Sequence, residues 1–348
     1  MKIAVYAISL NEAKHVKRWA EATKGADLRI VADTGSTDDT VKLLKKYGVE
    51  VHNISVKPFR FDDARNSALA LVPNDVDVCV SLDLDEIPDP DFFDKIRESW
   101  KPDTDRAWVG WETKNIWMNN NRVHARHGYR WIAPCHEVTV KYPPVAKEND
   151  IIVDSVVRHR PDDSKSRGQY LHLLQMGCAE NPYDIRLRTY LIREYYFNKQ
   201  WDNVVYESER LFATPGVDRG WNSELAATCR GAGDSLVQLG RRDEALQWLL
   251  KGTELTEELE AWYPLAFYYY ENKEWQKCFD ALNKDFTKGT HYLVDESLYD
   301  WRRYDLLAIA SWNLGKKGSA KKWARLAMEA NPTDKRLVDN YQFMLKGQ

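Results

Sequence analysis

The first half of the chain alternates short apolar runs with amphipathic stretches. Runs rich in β-branched and aliphatic residues predict buried strands at 3–8, 28–32, 49–54 and 76–82. Between these runs, apolar positions recur at helical spacing, for example over 61–71. Strands that alternate with helices predict right-handed crossovers and a mainly parallel sheet.

Beyond residue 170 the strand-like runs stop, and helical spacing continues towards the end of the chain. Four similar polar turns recur at intervals near or above the tetratricopeptide period of roughly 34 residues. They lie at 198–204, 240–245, 272–278 and 315–320. A helical hairpin of this kind cannot bury its apolar face alone, so it stacks on the next one. The pattern therefore predicts an α/β domain over 1–168 followed by an all-α helical-repeat domain over 169–348.

Three acidic residues directly follow the fourth predicted strand. Asp83, Asp85 and Glu86 lie so close together that their carboxylates repel one another, and a divalent cation is their simplest partner. A solvated acidic turn is the alternative. Because ligands of such sheets lie beyond the carboxyl ends of the strands, Asn11, Asp33 and Asp83 are expected along one rim.

The turn that follows the second strand, from Asp33 to Thr40, contains Gly35 for an unusual backbone angle and Ser, Thr and Asp for a helix cap. An ordinary capped loop is the alternative interpretation. The turn lacks the Gly-x-Gly-x-x-Gly of dinucleotide folds and the Gly-Lys-Ser/Thr of a phosphate-binding loop. A nicotinamide enzyme or an ATPase is therefore poorly supported.

Composition narrows the choice of function. The 348 residues carry a net charge of −3, which argues against a nucleic-acid binder held by bulk charge. The five cysteines are scattered without a Cys-x-x-Cys spacing, which favours a reducing, cytoplasmic setting. The apolar run at 3–10 lacks the features of a signal peptide, and no stretch approaches the length of a membrane span.

Four motifs in order resemble the nucleotide-sugar half of glycosyltransferase family 2, whose fold is the Rossmann-like GT-A fold. They are Asn11-Glu12, the Asp-Thr-Gly-Ser-Thr-Asp-Asp-Thr run at 33–40, the Phe-Asp-Asp-Ala-Arg-Asn run at 61–66 and the Leu-Asp-Leu-Asp-Glu run at 82–86. Several motifs in the right order are more specific than any one of them. Thr34 and Asp39 depart from the pattern, because many members have Asp and Gly there. The first departure bears on the preference for the base.

The resemblance implies roles for residues of the first domain. It implies that Asp33 contacts the nucleotide base, usually uracil, that Arg65 lies near the nucleotide, and that Asp83 faces the ribose. Asn11 and Glu12 are assigned to the same donor site. Asp85 is implied as a ligand of Mn²⁺ or Mg²⁺, which holds the diphosphate, and a histidine at the close of the domain, His159, as a further ligand. The alternative for His159 is a histidine paired in a basic surface loop.

The segment after the acidic turn offers candidates for the acceptor side. A strand is predicted at 108–117 and a polar hairpin turn at 119–122. The cations and rings of 122–131, including Arg130 and Trp131, suit a solvated strand face, contacts with the departing diphosphate, or an acceptor platform. The resemblance implies Glu137 as the general base, with His136 as its neighbour or a substrate contact.

A polar loop at 160–168 follows the last predicted strand of the first domain. Lys165 and Arg167 provide positive charge that suits the diphosphate, and we expect the loop to close over the donor as a lid.

Taken together, the resemblance implies a metal-dependent, inverting glycosyltransferase that moves a sugar from a nucleotide-sugar, usually a UDP-sugar, to an acceptor hydroxyl. A glycan, a protein and a modified nucleobase in DNA are all open as acceptors. The alternative is a non-catalytic scaffold, in which the repeats bind a protein partner and the first domain only senses sugar nucleotides. The repeats are also a candidate surface for self-association.

Overall fold

A computed structural model describes residues 1–113, 116–145, 147–162, 168–289 and 293–347. Its contacts divide the chain into two compact units, Met1–Glu180 and Asn181–Gln348. The helix that follows residue 168 lies in the first unit, and the domain boundary placed there from the sequence stays a prediction.

The described residues of the first unit form ten strands and five helices. The strands are β1 (Ile3–Ser9), β2 (Leu28–Asp33), β3 (Glu50–Asn53), β4 (Val78–Ser81), β5 (Glu86–Pro88), β6 (Arg106–Thr113), β7 (Ile116–Ala125), β8 (Tyr129–Ile132), β9 (Val138–Lys141) and β10 (Asp150–His159). The helices are α1 (Ala13–Ala22), α2 (Thr40–Lys46), α3 (Phe61–Leu71), α4 (Phe92–Ser99) and α5 (Tyr170–Glu180).

Eight of these strands form one mixed sheet in the order β3-β2-β1-β4-β7-β6-β10-β5, and β8 and β9 form a separate hairpin. The pairs β3–β2, β2–β1 and β1–β4 are parallel, which confirms the predicted Rossmann-like α/β arrangement. β7 runs antiparallel to both of its neighbours, and β5 runs antiparallel to β10. The carboxyl ends of β1, β2 and β4 therefore lie along one edge of the sheet.

The sheet is covered on both faces, which explains why its first strands are apolar throughout. Ile3, Val5 and Ala7 of β1 face a core that includes α1 and α4. Ala4 and Tyr6 face the opposite core, which includes α3. The side chains of β1 are therefore buried in two cores, and the polar loop that follows β1 lies at the edge of the sheet.

The prediction of one strand at 108–117 and a turn at 119–122 is wrong. β6 ends at Thr113, and β7 runs straight through 119–122, with Asn119 opposite Gly110 and Asn120 opposite Val109. Polar residues are compatible with antiparallel strands, because one face of such a pair can be solvated.

A chain of buried hydrogen bonds links β1, β7 and β8. Trp131 Nε1 donates to the Tyr6 hydroxyl at 2.8 Å, and that hydroxyl lies 2.9 Å from His124 Nε2. His124 Nδ1 lies 2.8 Å from the Ala125 carbonyl oxygen, so Nδ1 carries the proton and Nε2 accepts from Tyr6. Burial, with smaller contributions from nearby arginines, lowers the pKa of His124 to about 4.

This histidine predicts a loss of stability in mild acid. The unfolded chain takes up the His124 proton near its ordinary pKa of about 6.5, whereas the folded chain resists it down to about 4, so stability falls as the pH drops between these values. Through His124 alone, the free energy of unfolding should fall by about 2 kcal/mol between pH 7 and pH 5. Urea denaturation of the wild type and of His124→Gln at both pH values measures it. An equally steep loss in the variant would contradict the assignment.

The second unit consists of helices. They are α6 (Ile185–Phe197), α7 (Trp201–Phe212), α8 (Asn222–Gln238), α9 (Arg242–Leu255), α10 (Leu259–Glu271), α11 (Trp275–Leu282), α12 (Arg303–Asn313), α13 (Lys317–Ala330) and α14 (Lys335–Lys346), with short 3₁₀ and π-helical turns at Val217–Arg219 and Leu298–Arg302. Successive helices pack as hairpins around an apolar core that includes Leu236, Leu265 and Leu307. The predicted all-α helical repeat is confirmed.

The four predicted turns share one backbone solution. The second residue after α6, α8, α10 and α12 adopts a positive φ: Lys199 (55°), Gly240 (77°), Lys273 (59°) and Gly315 (72°). The next backbone N–H then donates to a carbonyl in the last turn of the helix, for example from Arg241 to Leu236 at 2.8 Å. Among the helices of the described part of the chain, none is both long and apolar enough to cross a bilayer.

Candidate active site

A buried arginine joins two carboxylates at the edge of the sheet. Arg65 projects from α3 and is only 4% exposed. Its Nη1 and Nη2 atoms donate to the two oxygens of Asp83 at 2.7 and 2.8 Å, and its Nε atom donates to Glu137 Oε1 at 2.5 Å. The Trp131 ring lies under the guanidinium, with its centroid 5.0 Å from Cζ. The structure therefore brings together Asp83, Arg65 and Glu137.

Ion pairing determines the protonation states of Asp83 and Arg65. Burial alone would raise the pKa of Asp83, but Arg65 and Arg122 outweigh it and hold that pKa well below its ordinary value. Burial likewise opposes the charged form of Arg65, and the carboxylates of Asp83 and Glu137 raise its pKa nonetheless. Asp83 is an anion and Arg65 a cation at neutral pH.

Glu86 is the most buried of the three acids in the turn, at 2% exposure. Its Oε1 atom accepts from Trp111 Nε1 at 3.0 Å, and its Oε2 atom accepts from the Asp83 backbone N–H at 2.9 Å. Arg122 Nη1 lies 3.2 and 3.1 Å from these oxygens and 2.9 Å from Asp83 Oδ2. Burial and the charge of Asp83 raise the pKa of Glu86, whereas Arg122 lowers it, and the net direction is upwards.

These contacts correct the inference that a cation is the simplest partner of all three acids. Arg65 and Arg122 supply the positive charge for Asp83 and Glu86, so only Asp85 is left to a metal. Sequence reasoning gave no separate role to Arg122 or Trp111. Arg122 lay in the recognised basic segment, but its pairing depends on the register of β7 against β4.

Asp85 and His159 form a pair beside this network. Asp85 Oδ2 lies 3.2 Å from His159 Nε2, and the two side chains are 21% and 25% exposed. Arg160 N donates to the Asp85 carbonyl at 2.8 Å, and the Trp111 ring stacks on the imidazole with centroids 5.0 Å apart. Burial would lower the pKa of His159, but the Asp85 carboxylate raises it.

The chemistry of this pair fits a divalent cation. A carboxylate oxygen and an imidazole nitrogen are both ligands for Mn²⁺, and carboxylate oxygen also suits Mg²⁺. No cluster of three or more His, Cys, Asp or Glu with metal-binding geometry occurs among the residues that the structure describes. Asp85 and His159 are the residues that would hold such a cation.

The loop after β2 is organised by Asp33. The carboxylate, 2% exposed, accepts hydrogen bonds from the Ser9 and Ser36 hydroxyls and from the Gly35 and Ser36 backbone N–H groups. Gly35 has φ of 115°, as the predicted unusual backbone angle requires. Asn11 Oδ1 accepts from the Thr37 N–H at 2.8 Å. These bonds fix the loop at the carboxyl end of β2.

Glu12 joins the same loop through its backbone. Its N–H donates to the Thr40 hydroxyl at 2.7 Å, and the carboxylate lies 3.8 Å from His15. Asn11, Glu12 and Asp33 therefore lie together, beyond the ends of the neighbouring strands β1 and β2.

The described residues predicted for the acceptor side have different surroundings. Successive residues of β8 face opposite ways, so Trp131 is buried against Arg65 while Arg130 is exposed and stacks on Tyr142, with Cζ 4.4 Å from the ring centroid. His136 has φ of 50°, and its ring lies 5.8 Å from that of Tyr170. Trp131 thus supports Arg65 and does not offer a free ring to a substrate.

Two predicted residues and most of the predicted lid have no described position. Lys165 and Arg167 lie outside the described residues, as does most of the loop at 160–168.

Comparison with known proteins matches residues 11–146 to the family model of glycosyl transferase family 2. Glucosyl-3-phosphoglycerate synthase from Mycobacterium tuberculosis, solved with Mn²⁺, UDP and glucosyl-3-phosphoglycerate, is similar over 51% of this chain and 80% of its own, with 18% identity and a TM-score of 0.37. A tetratricopeptide repeat protein from Thermus thermophilus is similar over 51% of this chain and 92% of its own, with 17% identity and a TM-score of 0.35.

MamA from Desulfovibrio magneticus is similar over 46% of this chain and 82% of its own, with 15% identity and a TM-score of 0.37. No curated protein sequence matches the chain. The matched range 11–146 contains the loop of Asp33, the Asp83–Arg65–Glu137 network and Asp85. Residues 11–146 thus form a glycosyl transferase family 2 domain, which supports a glycosyltransferase activity for the chain.

Proposed function

We propose that this protein transfers a sugar from a UDP-sugar to an acceptor hydroxyl in one metal-dependent displacement that inverts the anomeric centre. One observation supports the proposal: Asp83 and Asp85 lie on a single turn at the sheet edge, where Asp83 shares Arg65 with Glu137 and Asp85 lies 3.2 Å from His159. The turn thereby links the residues that we propose as metal ligands, nucleoside contact and base.

The donor half of the proposal rests on two carboxylates. Asp83 would accept hydrogen bonds from the ribose hydroxyls, for which its ionised state is suited. Asp33 would take the base, in a loop that its own hydrogen bonds already hold in place. Arg65 would keep Asp83 oriented without needing exposure of its own. A site formed before the ligand arrives loses less entropy on binding.

Asp85 and His159 would hold Mn²⁺ or Mg²⁺. When bound, the cation would supply positive charge that stabilises the departing nucleoside diphosphate. The side chains themselves need little movement to do this, because Trp111 packs on the imidazole and Arg160 N holds the Asp85 backbone.

Glu137 would act as the general base. Its Oε1 atom is held by Arg65, and the carboxylate would take the proton of the acceptor hydroxyl as that oxygen bonds to the anomeric carbon. The bond from the anomeric carbon to the diphosphate breaks, and its electron pair leaves with the nucleoside diphosphate. Attack and departure on opposite faces give inversion.

Glu137→Gln is expected to lower turnover roughly 100-fold, because an amide of the same shape cannot take the proton. Binding of UDP should persist, since the amide oxygen still accepts from Arg65 Nε. Release of UDP from the donor, followed with an acceptor or with water, measures the first effect, and calorimetry measures the second. Full activity in the variant would remove Glu137 from the role of base.

A panel of nucleotide-sugars with Mn²⁺, monitored by thermal unfolding, tests the donor class. A ligand that binds only the folded state raises its melting temperature, and a ligand at 100 times its Kd adds about 2.7 kcal/mol. UDP-sugars should give the largest shifts, and the shifts should vanish with a chelator and return with added Mn²⁺. A panel without any shift would contradict the proposal.

The compartment and the partners also belong to the proposal. The five cysteines are buried and none forms a disulfide, which supports a reducing, cytoplasmic compartment. The helical repeat is the predicted surface for a protein partner or for self-association.

A further inference from the structure

Glu86 lies between the proposed metal ligands, Asp85 and His159, and the proposed nucleoside contact, Asp83. The strand β5 pairs antiparallel with β10, and Glu86 lies directly opposite His159 in this ladder. Residues opposite each other in an antiparallel pair point to the same face of the sheet. The buried carboxylate and the imidazole are therefore neighbours, although Asp85, and not Glu86, is the hydrogen-bond partner of His159.

On the metal side, Glu86 acts through Trp111. Its Oε1 atom accepts the indole N–H at 3.0 Å, which fixes the rotation of the ring. The same ring stacks on His159, with an angle of 27° between the planes. Rotation of the imidazole away from Asp85 would therefore break either the stacking or the indole hydrogen bond.

On the nucleoside side, Glu86 acts through Arg122 and the backbone. Arg122 Nη1 lies between Glu86 and Asp83, within 3.2 Å of oxygens of both. The Asp83 N–H donates to Glu86 Oε2, and the Glu86 N–H donates in turn to the Asp83 carbonyl, both at 2.9 Å. Side chain and main chain together hold the Asp83 carboxylate at the rim.

We propose that Glu86 is a positioning residue that sets the geometry of both halves, through Trp111 for His159 and through Arg122 for Asp83. This inference rests on the proposed function. Burying a carboxylate is costly unless its oxygens are paired, and Glu86 has a donor on each oxygen and a guanidinium facing both. Partners behind metal ligands commonly change metal affinity by roughly 10- to 100-fold when they are mutated.

Three variants of the full chain separate the effect of Glu86 on the metal side, through Trp111 and His159, from its effect on the nucleoside side, through Arg122 and Asp83. Glu86→Gln keeps the size of the side chain but removes the negative charge that faces Arg122. Its amide is also a weaker hydrogen-bond acceptor for the Trp111 indole. Trp111→Phe keeps a ring on His159 but removes the hydrogen bond to Glu86. Trp117→Phe is the matched control, because Trp117 lies in the adjoining strand of the same hairpin and is 59% exposed.

Two binding measurements report separately on the metal side and on the nucleoside side, and neither requires turnover. The Kd for Mn²⁺, from electron paramagnetic resonance, reports on Asp85 and His159, and the Kd for uridine, from saturation-transfer NMR, reports on Asp83 without any phosphate. Trp111→Phe should weaken Mn²⁺ binding about 10-fold and leave uridine binding unchanged. Glu86→Gln should weaken both, and Trp117→Phe neither. A role only in general stability would not produce this split.

The outcomes that overturn the inference are distinct. If Glu86→Gln folds normally and binds both probes like the wild type, Glu86 positions nothing. If Glu86→Gln fails to fold while Trp111→Phe folds and keeps wild-type affinity for Mn²⁺, Glu86 does not position His159 through Trp111. If the wild type itself binds neither Mn²⁺ nor uridine, the proposed function fails, and this inference with it.

Discussion

Asp85→Ala is expected to lower turnover by about 1,000-fold while leaving the fold intact. The carboxylate contacts only His159 among the described side chains, and its partly exposed position means that little packing is lost. A cation that neutralises a departing diphosphate contributes several kcal/mol to the transition state, and about 4 kcal/mol corresponds to the expected factor. Steady-state release of UDP, with and without added Mn²⁺, measures the loss.

A nearby acid provides the control for this variant. Asp91 directly precedes α4, is exposed and pairs with Lys95 at 3.0 Å, and Asp91→Asn should keep wild-type turnover. Uridine should still bind to Asp85→Ala, because the contacts of Asp33 and Asp83 do not involve Asp85. Normal turnover in Asp85→Ala would refute the proposed metal dependence.

Arg65→Met is expected to destabilise the first unit by roughly 3–5 kcal/mol, because it takes the buried guanidinium away from Glu137 and leaves Asp83 with Arg122 alone. The methionine fills much of the space over Trp131, so the loss is mainly electrostatic and not a cavity effect. Urea denaturation monitored by fluorescence measures the change. A double variant that adds Glu137→Gln should recover part of it, since the carboxylate that has lost Arg65 is then replaced by a neutral amide.

Arg97→Met is the matched control for this prediction. Arg97 also donates to a carboxylate, Asp27, at 3.0 Å, but its side chain is 31% exposed. An ion pair in contact with water contributes at most about 1 kcal/mol, so this variant should unfold close to the wild type. Equal losses in the two variants would show that burial of the Arg65 network has no special cost.

Local patterns predicted the elements that depend on nearest neighbours. Continuous β-branched runs identified β1, β2 and β4, because both faces of these strands are buried. The parallel order then implied that the turns after Asp33 and Asp83 share an edge. The repeated turns were recognisable because a left-handed residue such as Gly240 ends each first helix in the same way.

Contacts between distant segments were not predictable from the same patterns. The polar run at 119–121 reads as a turn, and only its pairing with β6 makes it a strand. The pairing of Arg122 with Asp83 depends on the register of that strand, and the burial of Trp131 depends on a hairpin folded over β1. Single residues such as Glu86 and Trp111 gain their roles from these long-range contacts, so no local motif identifies them.

The charges at the rim have a thermodynamic consequence. Among the described ion pairs, Asp83, Glu86 and Glu137 face the guanidinium groups of Arg65 and Arg122, and Asp85 faces His159, so these four carboxylates outnumber their cationic partners. Under the proposed function, such a surface would repel a free diphosphate and attract a dication, and the two ligands would favour each other's binding. By reciprocity, the factor by which the cation tightens the nucleotide equals the factor by which the nucleotide tightens the cation. A shortage of the cation would therefore weaken binding of the nucleotide, and a shortage of the nucleotide would weaken binding of the cation by the same factor.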